Sequence, residues 1–181
     1  SWQLWLDALK DATHADSCAM LQLQGMDLVP VAVHGLSPDT MGRRFPVGEH
    51  PRLQAIMRSA DVLRFPAASP LPDPFDGLIP NAADHLHVHD CAGVPIKGTN
   101  GPLGVLTIDA LRRGTFNQKS LDALRTCANL AGACLEIIER LSRMQDAMER
   151  QNLVSSALLE ELRPDQQFIG RSAPIRALLK E

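Results

Sequence analysis

The sequence lacks the features that mark several large classes of protein. Its four cysteines form no CxxC pair, and neither a CxxCH haem-attachment motif nor a GxxxxGK[ST] phosphate-binding loop occurs. No apolar run approaches the ~20 residues of a membrane helix, and no secretory signal segment is recognisable. We therefore expect a cytoplasmic protein with reduced thiols, and no contact with a membrane.

Length and charge narrow the possibilities further. The 181 residues, 45% of them hydrophobic and 22% charged, suffice for one globular domain and an additional segment. A domain of this size buries roughly 70% of its unfolded surface and needs neither a disulfide nor a metal to fold. The formal net charge of -3 disfavours a dedicated nucleic-acid-binding module, which would carry a basic stripe.

Hydrophobic periodicity and turn residues predict an α+β domain with helices flanking a mainly antiparallel sheet. The predicted helices cover residues 2–12, 50–59 and 117 to about 162. The predicted strands cover residues 17–24, 28–34, 62–65, 86–96 and 102–109, the last two joined by a turn at 97–101. Residues 35–46 are predicted to be a loop. Residues 66–80 form a second loop, because five prolines in 15 residues leave no regular element.

The predicted C-terminal helix carries a heptad-like apolar seam. Its members are Leu124, Cys127, Ala131, Cys134, Ile138, Leu141 and Met148. We expect residues 117–135 to pack on the domain's own sheet, with Cys127 and Cys134 as small core residues. Residues 136–160 are expected to be exposed or to pair with another helix, because ~40 helical residues span ~60 Å. A parallel homodimer through this helix is the interpretation we favour.

Side chains able to bind a metal concentrate in the proline-rich loop and the last two strands. Asp73 and Asp76 lie three residues apart in the loop, while His89 and Cys91 share one face of a predicted strand. Asp109 ends the next strand, and hairpin pairing would bring it beside that face. Mixed oxygen, nitrogen and sulfur donors suit a borderline transition metal such as Fe(II) or Zn(II). More than four donors would favour iron over structural zinc.

The same residues have structural alternatives. Asp73 and Asp76 could be turn residues, His89 a hydrogen-bonded core histidine, and Cys91 a small buried hydrophobe. A different metal site, a zinc-like triad on one strand face, could be formed by His85, His87 and His89.

Two arginines of the predicted short helix have separate expected roles. Arg52 can offset the negative charge of carboxylates and a thiolate, or can form a surface salt bridge instead. Arg58 lies six residues on, ~240° around the helix, so it cannot point to the same place. We expect it to contact a neighbouring domain or to face solvent.

Several sequence blocks together resemble one family. They are His34-Gly35-Leu36, Gly42-Arg43-Arg44-Phe45, His50-Pro51-Arg52-Leu53, Arg64-Phe65-Pro66, LPDPFDGLIP (71–80), His89-Asp90-Cys91, Gly93-Val94-Pro95 and GVLTIDA (104–110). This set resembles the N-terminal GAF sensor domain of nitric-oxide-responsive transcription activators that work with the sigma-54 form of RNA polymerase. In addition, QFIGRSAPIRALLK (167–180) resembles the opening of the AAA+ ATPase domain of such activators.

The resemblance implies a mononuclear non-haem Fe(II) centre that binds nitric oxide, after which the GAF domain ceases to inhibit the ATPase. The implied iron ligands are Asp73, Asp76, His89, Cys91 and Asp109. Arg52 is also implicated at the site, and Arg58 matches an arginine associated with restraint of the ATPase.

The implied organisation is a GAF sensor domain over residues 1–140, a signalling helix or linker over 141–164, and the start of the AAA+ domain over 165–181. We expect a fragment that is not itself an enzyme and does not bind DNA, and whose partners are the AAA+ domain and a second copy. Three other functions stay open. The first two are a GAF module that binds a small organic ligand and a metal-free dimerisation or interaction domain. The third is a cysteine-based reductase, for which Cys18 is the one possible resolving thiol outside the long helix.

Overall fold

The computed structural model describes residues 1–80 and 90–161, and it divides the chain into two units, Ser1–Ile137 and Ile138–Glu181. The predicted strand residues 86–89 and the expected AAA+ start at 165–181 lie outside the described residues. So does the alternative triad of His85, His87 and His89. In the part of the chain that the structure describes, no helix has the length and apolarity to cross a membrane.

The predicted α+β architecture is confirmed. The helices are α1 (Trp2–Thr13), a short 3₁₀ helix (Pro38–Gly42), α2 (Pro51–Arg58) and α3 (Gln118–Glu161). The strands are β1 (Ser17–Gln24), β2 (Asp27–His34), β3 (Phe45–Pro46), β4 (Leu63–Pro66), β5 (Asp90–Gly98) and β6 (Gly101–Ala110).

The six strands form one antiparallel sheet in the order β3-β2-β1-β6-β5-β4. Two hairpins, β1–β2 and β5–β6, are joined through the pairing of β1 with β6 at the centre of the sheet. This central pairing joins strands that are far apart in the sequence. It fixes the position and register of one hairpin relative to the other, which neither hairpin determines alone.

Alternation along the strands gives the sheet two buried faces. One face packs against α1 and the first part of α3, and Cys18 and Ile108 are among its side chains. The other face packs against α2 and the proline-rich loop, with Leu53, Phe75 and Cys91 in its core. Cys18 and Cys91 therefore belong to opposite faces, and Cys18 is not placed to resolve a disulfide with Cys91.

Close backbone packing seats both helices on the sheet. A Cβ atom at Gly93 of β5 would collide with the side chain of Ile56 in α2, so glycine permits this approach. Likewise, a Cβ atom at Gly132 of α3 would meet the carbonyl oxygen of Lys97. The contact at Gly93 fixes α2, and with it Arg52, over the face of the sheet that holds Cys91, and the contact at Gly132 fixes α3.

The long helix behaves differently in the two units. Within the first unit its buried stripe is formed by Leu124, Ala128, Ala131 and Leu135. Cys127 is half-buried and Cys134 is exposed, so the prediction that Cys134 is a core residue is wrong. At 100° per residue, Cys134 lies about 90° from the centre of that stripe. In the second unit, the large apolar side chains Ile138, Leu141, Met144 and Met148 are exposed.

Two loop predictions differ from the structure. The predicted loop at 35–46 contains the 3₁₀ helix and β3, which are too short to produce a periodic hydrophobic pattern. The predicted turn at 97–101 is shorter, because pairing continues through Gly98 and Gly101 and leaves only Thr99 and Asn100 between the strands. An irregularity between Ile96 and Lys97 shifts the register there, which alternation alone does not reveal.

Candidate metal centre

Strand pairing brings two of the predicted ligands together at one end of the sheet. Cys91 on β5 lies directly opposite Asp109 on β6, as the predicted hairpin requires. Ser17 on β1 lies opposite Asp109 on its other side. Directly opposed residues of antiparallel strands project to the same face with Cβ atoms about 4.5–5.5 Å apart. The three side chains therefore form a row across the central strands.

The proline-rich loop supplies the third donor from above this row. Oδ1 of Asp73 accepts a hydrogen bond from the backbone N–H of Phe75 at 2.8 Å, so Asp73 is a turn residue and a candidate ligand at once. The ring of Phe75 is 1% exposed and packs edge-on against Phe45 with centroids 5.7 Å apart. The backbone N–H of Ser37 donates to the carbonyl of Leu78 at 2.6 Å. The aromatic packing holds the loop against β3, and the hydrogen bond holds it against the segment that follows β2.

Asp73, Cys91 and Asp109 each place a potential ligand atom within 4.8 Å of the other two. Their side chains are almost entirely buried, with Asp109 at 0% and Cys91 at 3% exposure. Within residues 1–80 and 90–161 this is the one group of three or more such side chains close enough to hold a single ion. We refer to these three residues as the donor cluster.

Arg52 of α2 contacts the donor cluster from the side of the loop. Its Nη1 donates to Oδ2 of Asp73 in a buried ion pair, and its Nη2 donates to the carbonyl of Leu71 at 2.6 Å. The guanidinium lies over the ring of Phe65, 5.0 Å from its centroid. Phe65 itself is paired with Cys91 across β4 and β5. Arg52 therefore joins the loop to the sheet beside the cluster and partly balances its charge.

Burial shifts the ionisation of all three cluster residues toward their neutral forms. The pKa of the Asp109 carboxyl is raised well above its usual value by burial and then by the charge of Asp73, and contacts with Cys91, Ser17 and Arg52 oppose this only in part. Burial also raises the pKa of Asp73, against the lowering effect of Arg52. The pKa of the Cys91 thiol is raised by burial and by both carboxylates. Simultaneous ionisation of these three buried side chains is therefore unfavourable unless a cation lies between them.

The donor cluster fits a metal ion in its chemistry. Oδ1 of Asp109 is fully buried and has no hydrogen-bond partner among the described residues, although its other oxygen accepts from Ser17. An unsatisfied buried carboxylate oxygen is unfavourable by about 1–3 kcal/mol or more, and a coordinated cation would satisfy it. A divalent cation also stabilises the ionised forms of carboxylate and thiolate ligands. Two carboxylates and one thiolate suit Fe(II) or Zn(II) better than Mg²⁺ or Ca²⁺.

The remaining predicted site residues are placed elsewhere. Asp76 is exposed and lies outside the donor cluster, although its backbone N–H contacts the carbonyl of Asp73 at 3.4 Å in the same turn. His89 lies outside the described residues. Arg58 is exposed in the last turn of α2 whereas Arg52 is buried, which confirms that the two cannot point to one place. Whether Asp76 and His89 bind metal stays a prediction.

Two contacts around the cluster were not identified from the sequence. The first is the hydroxyl of Ser17 on Asp109, which depends on the pairing of β1 with β6. The second is an ion pair at the start of β5, where Arg64 donates to both carboxylate oxygens of Asp90 at 2.8 and 2.7 Å. Asp90 also accepts the backbone N–H of Phe116 at 3.1 Å, just before α3. The residue beside Cys91 is thereby tied to the segment that leads into the long helix.

Comparison with known proteins agrees with this architecture. The GAF domain family model matches residues 3–135. The GAF domain of a phosphoenolpyruvate-protein phosphotransferase from Coxiella burnetii superimposes with a TM-score of 0.64, 22% identity, and coverage of 78% of this chain and 83% of that one. GAF-B of DevS from Mycobacterium smegmatis gives a TM-score of 0.59 at 19% identity, covering 78% and 95%. At these identities the likeness concerns the fold alone.

Sequence relatives are more similar. The anaerobic nitric oxide reductase transcription regulator NorR of Citrobacter koseri is 40% identical over 99% of this chain, and NorR of Vibrio vulnificus strain YJ016 is 36% identical over 97%. The regulatory protein LuxO of Vibrio cholerae is 37% identical over 96%. The chain spans about a third of the length of these relatives, 35%, 34% and 33% respectively. The expected resemblance to nitric-oxide-responsive regulators is confirmed, and the chain belongs to the GAF domain family.

Proposed function

We propose that this chain is the nitric-oxide-sensing GAF module of a transcription activator and that it binds one non-haem Fe(II). The observation that carries the proposal is the buried cluster of Asp73, Cys91 and Asp109, with ligand atoms within 4.8 Å of one another. Similarity to NorR over nearly the whole chain supplies the signal, nitric oxide. Bound iron would supply a coordination position for that diatomic ligand.

Charge balance supports a divalent ion in this position. Ionised Asp73, Cys91 and Asp109 carry three negative charges, which Fe(II) and Arg52 together would neutralise; Asp76, if it also binds, would leave one net negative charge. Arg52 already pairs with Asp73, so the guanidinium is in place for this role. Removal of any one charged member would leave the others incompletely balanced in a buried site.

His89 and Asp76 complete the proposed ligand set of five. His89 lies two residues before Cys91 in the sequence, and neutral imidazole is a common ligand for iron. Asp76 is exposed in the turn that holds Asp73, so its participation requires a change in that turn. We propose that the proline-rich loop is the part of the module that moves when nitric oxide replaces a protein ligand at one coordination position.

The proposed output is relief of repression of an AAA+ ATPase in the same protein. Arg58 is exposed on the helix that also carries Arg52, so it is available to contact a neighbouring domain. The ion pair of Arg64 with Asp90, and the bond from Asp90 to Phe116, give a second connection from the site to the start of α3. We assign Arg58 to signal coupling, and we retain the expected AAA+ start at 165–181 and the cytoplasmic location.

A homodimer through the C-terminal helix is the remaining part of the proposal. In the second unit the side chains of Leu141, Met144 and Met148 are 55%, 62% and 63% exposed. Their spacing of three and four residues places them along one helix face. Burial of that face against a second copy would stabilise the dimer by about 25 cal/mol for each Å² of apolar surface removed from water.

Anaerobic loading with Fe(II), followed by titration with nitric oxide, tests the sensor. We expect one iron per chain and a new EPR signal, because high-spin Fe(II) has an integer spin and nitric oxide adds an unpaired electron. Cys91→Ala and Asp109→Ala should lose both, whereas Asp27→Ala, which removes a carboxylate from a surface ion pair, should retain both. Folded protein without stoichiometric iron or an EPR signal would contradict the proposal and favour an organic ligand or an interaction domain.

A further inference from the structure

The carboxylate of Asp109 is held by a hydroxyl on the neighbouring strand. Oγ of Ser17 donates to Oδ2 of Asp109 at 3.2 Å, and both side chains are fully buried. The two residues are directly paired between β1 and β6, ninety-two positions apart in the sequence. A buried hydroxyl without a hydrogen-bond partner is unfavourable, and the partner of this one is a candidate metal ligand. Ser17 is therefore placed to orient that ligand.

The backbone around this pair makes the contact rigid. The N–H of Asp16 donates to the carbonyl of Asp109 at 2.9 Å, which closes the β1–β6 ladder just before Ser17. The side chain of Asp16 then accepts the backbone N–H of Leu111 at 2.7 Å, on the far side of Asp109. These bonds fix the backbone on both sides of the pairing and so hold Ser17 and Asp109 directly opposite each other.

The two oxygens of Asp109 consequently have different surroundings. Oδ2 accepts the hydrogen bond from Ser17, whereas Oδ1 has no hydrogen-bond partner among the described residues, and the carboxylate as a whole belongs to the donor cluster with Asp73 and Cys91. A carboxylate anchored through one oxygen presents the other in a fixed orientation. Such outer contacts to ligands typically change metal affinity about 10- to 100-fold when they are removed.

We infer that Ser17 is a positioning residue of the metal centre: its hydroxyl ties Oδ2 of Asp109 and leaves Oδ1 as the single oxygen of that residue offered to the ion. This inference rests on the proposed function, because it assumes that the donor cluster binds metal. It adds a residue from a strand that contributes no ligand, and it specifies that Asp109 binds through one oxygen.

The experiment compares Co(II) and Fe(II) affinities, measured by competition with a chelator, in the wild-type chain and three variants. Ser17→Ala removes the hydroxyl and should weaken binding of both ions about 10- to 100-fold. It should also change the ligand-field absorption of bound Co(II), because Asp109 can rotate and offer both oxygens. Ser17→Thr keeps the hydroxyl and should retain wild-type affinity and absorption.

Thr107→Val is the matched control. Thr107 is a buried hydroxyl on the same strand as Asp109, but its Oγ1 donates to the carbonyl of Ala19 at 3.4 Å. The substitution keeps the approximate shape of the side chain and removes a hydroxyl that bonds to the backbone rather than to a member of the cluster, so we expect affinity within about twofold of the wild type.

The outcomes separate the inference from the proposed function. Stoichiometric binding by the wild type with equal affinity in Ser17→Ala would overturn the role of Ser17 and leave the metal centre intact. Equal losses in Ser17→Thr and Ser17→Ala would likewise overturn it, since the hydroxyl would not matter. Absence of metal binding in the folded wild type would overturn both. If Ser17→Ala fails to fold, the near-isosteric variants Ser17→Thr and Ser17→Val make the same comparison: equal affinity in the two would overturn the inference, and a loss confined to Ser17→Val would support it.

Discussion

Replacement of Asp109 by asparagine should stabilise the metal-free protein. Asp109 is fully buried, and burial together with the charge of Asp73 raises its pKa well above the usual value. A carboxyl group whose pKa is higher in the folded than in the unfolded state favours folding when it is protonated. Its contribution is full below the unfolded pKa, ~3.9, and is lost as the pH rises through the folded pKa. Asparagine has the same shape and no charge, so it avoids this loss.

The size of the effect follows from the unsatisfied oxygen. Oδ1 of Asp109 lacks a hydrogen-bond partner among the described residues, and such a group is unfavourable by about 1–3 kcal/mol when buried. The amide oxygen of asparagine can still accept from Ser17, and its nitrogen can donate toward Cys91 or Asp73. For a chain of this length, 1 kcal/mol corresponds to about 2–4 °C in Tm. We therefore expect Asp109→Asn to raise Tm by about 2–12 °C at pH 8 in chelator.

Thermal unfolding followed by circular dichroism at several pH values provides the assay. The advantage of Asp109→Asn should shrink toward pH 4, where the wild-type carboxyl is protonated in both states. The control Asp11→Asn changes a carboxylate of α1 whose side chain is 81% exposed, and it should alter stability by less than about 0.5 kcal/mol. With Co(II) at a thousand times its Kd the order should reverse, because a ligand at that concentration stabilises the native state that binds it by about 4.1 kcal/mol. A less stable Asp109→Asn without metal, or an advantage that does not depend on pH, would refute the reasoning.

Three further perturbations have expected outcomes. Arg52→Ala breaks the buried ion pair with Asp73 and should destabilise the metal-free domain by about 3–5 kcal/mol in urea unfolding. A change under about 1 kcal/mol would contradict the burial of this ion pair. Gly93→Ala forces a methyl group against Ile56 and should lower the free energy of unfolding by about 1–3 kcal/mol in the same assay. An unchanged midpoint of urea unfolding would show that α2 does not pack so closely on β5. Leu141→Glu should convert the proposed dimer to a monomer in sedimentation velocity without changing the Tm of the GAF unit. A wild-type chain that is monomeric at high micromolar concentration would refute the proposed dimer face.

The elements with local signals were predictable from the sequence. The β1–β2 hairpin follows from alternation on either side of a short turn, and the opposition of Cys91 and Asp109 follows from pairing the last two strands as a hairpin. The buried half of α3 was also expected, because small and apolar residues recur at helical spacing. Each of these features depends on residues close together in the chain, where patterns report directly on structure.

Non-local pairing was beyond the same reasoning. Nothing in the strand patterns specifies that β1 lies beside β6, so the contact from Ser17 to Asp109 had no signal in the sequence. The loop posed a different difficulty. Asp73 and Asp76 look equivalent in sequence, but the hydrogen bond from Phe75 turns Asp73 inward, while Asp76 is exposed. Side-chain direction in an irregular loop depends on such tertiary contacts rather than on spacing.

The most direct test of the account is the ligand environment of iron in this chain. X-ray absorption at the iron edge, on protein loaded anaerobically with one equivalent of Fe(II), reports the sulfur and oxygen or nitrogen neighbours of the metal. We predict full occupancy with a single sulfur neighbour that disappears in Cys91→Ser, because Cys91 is the only thiol of the donor cluster. Iron surrounded by oxygen and nitrogen alone in the wild type, or a spectrum unchanged by Cys91→Ser, would contradict the account.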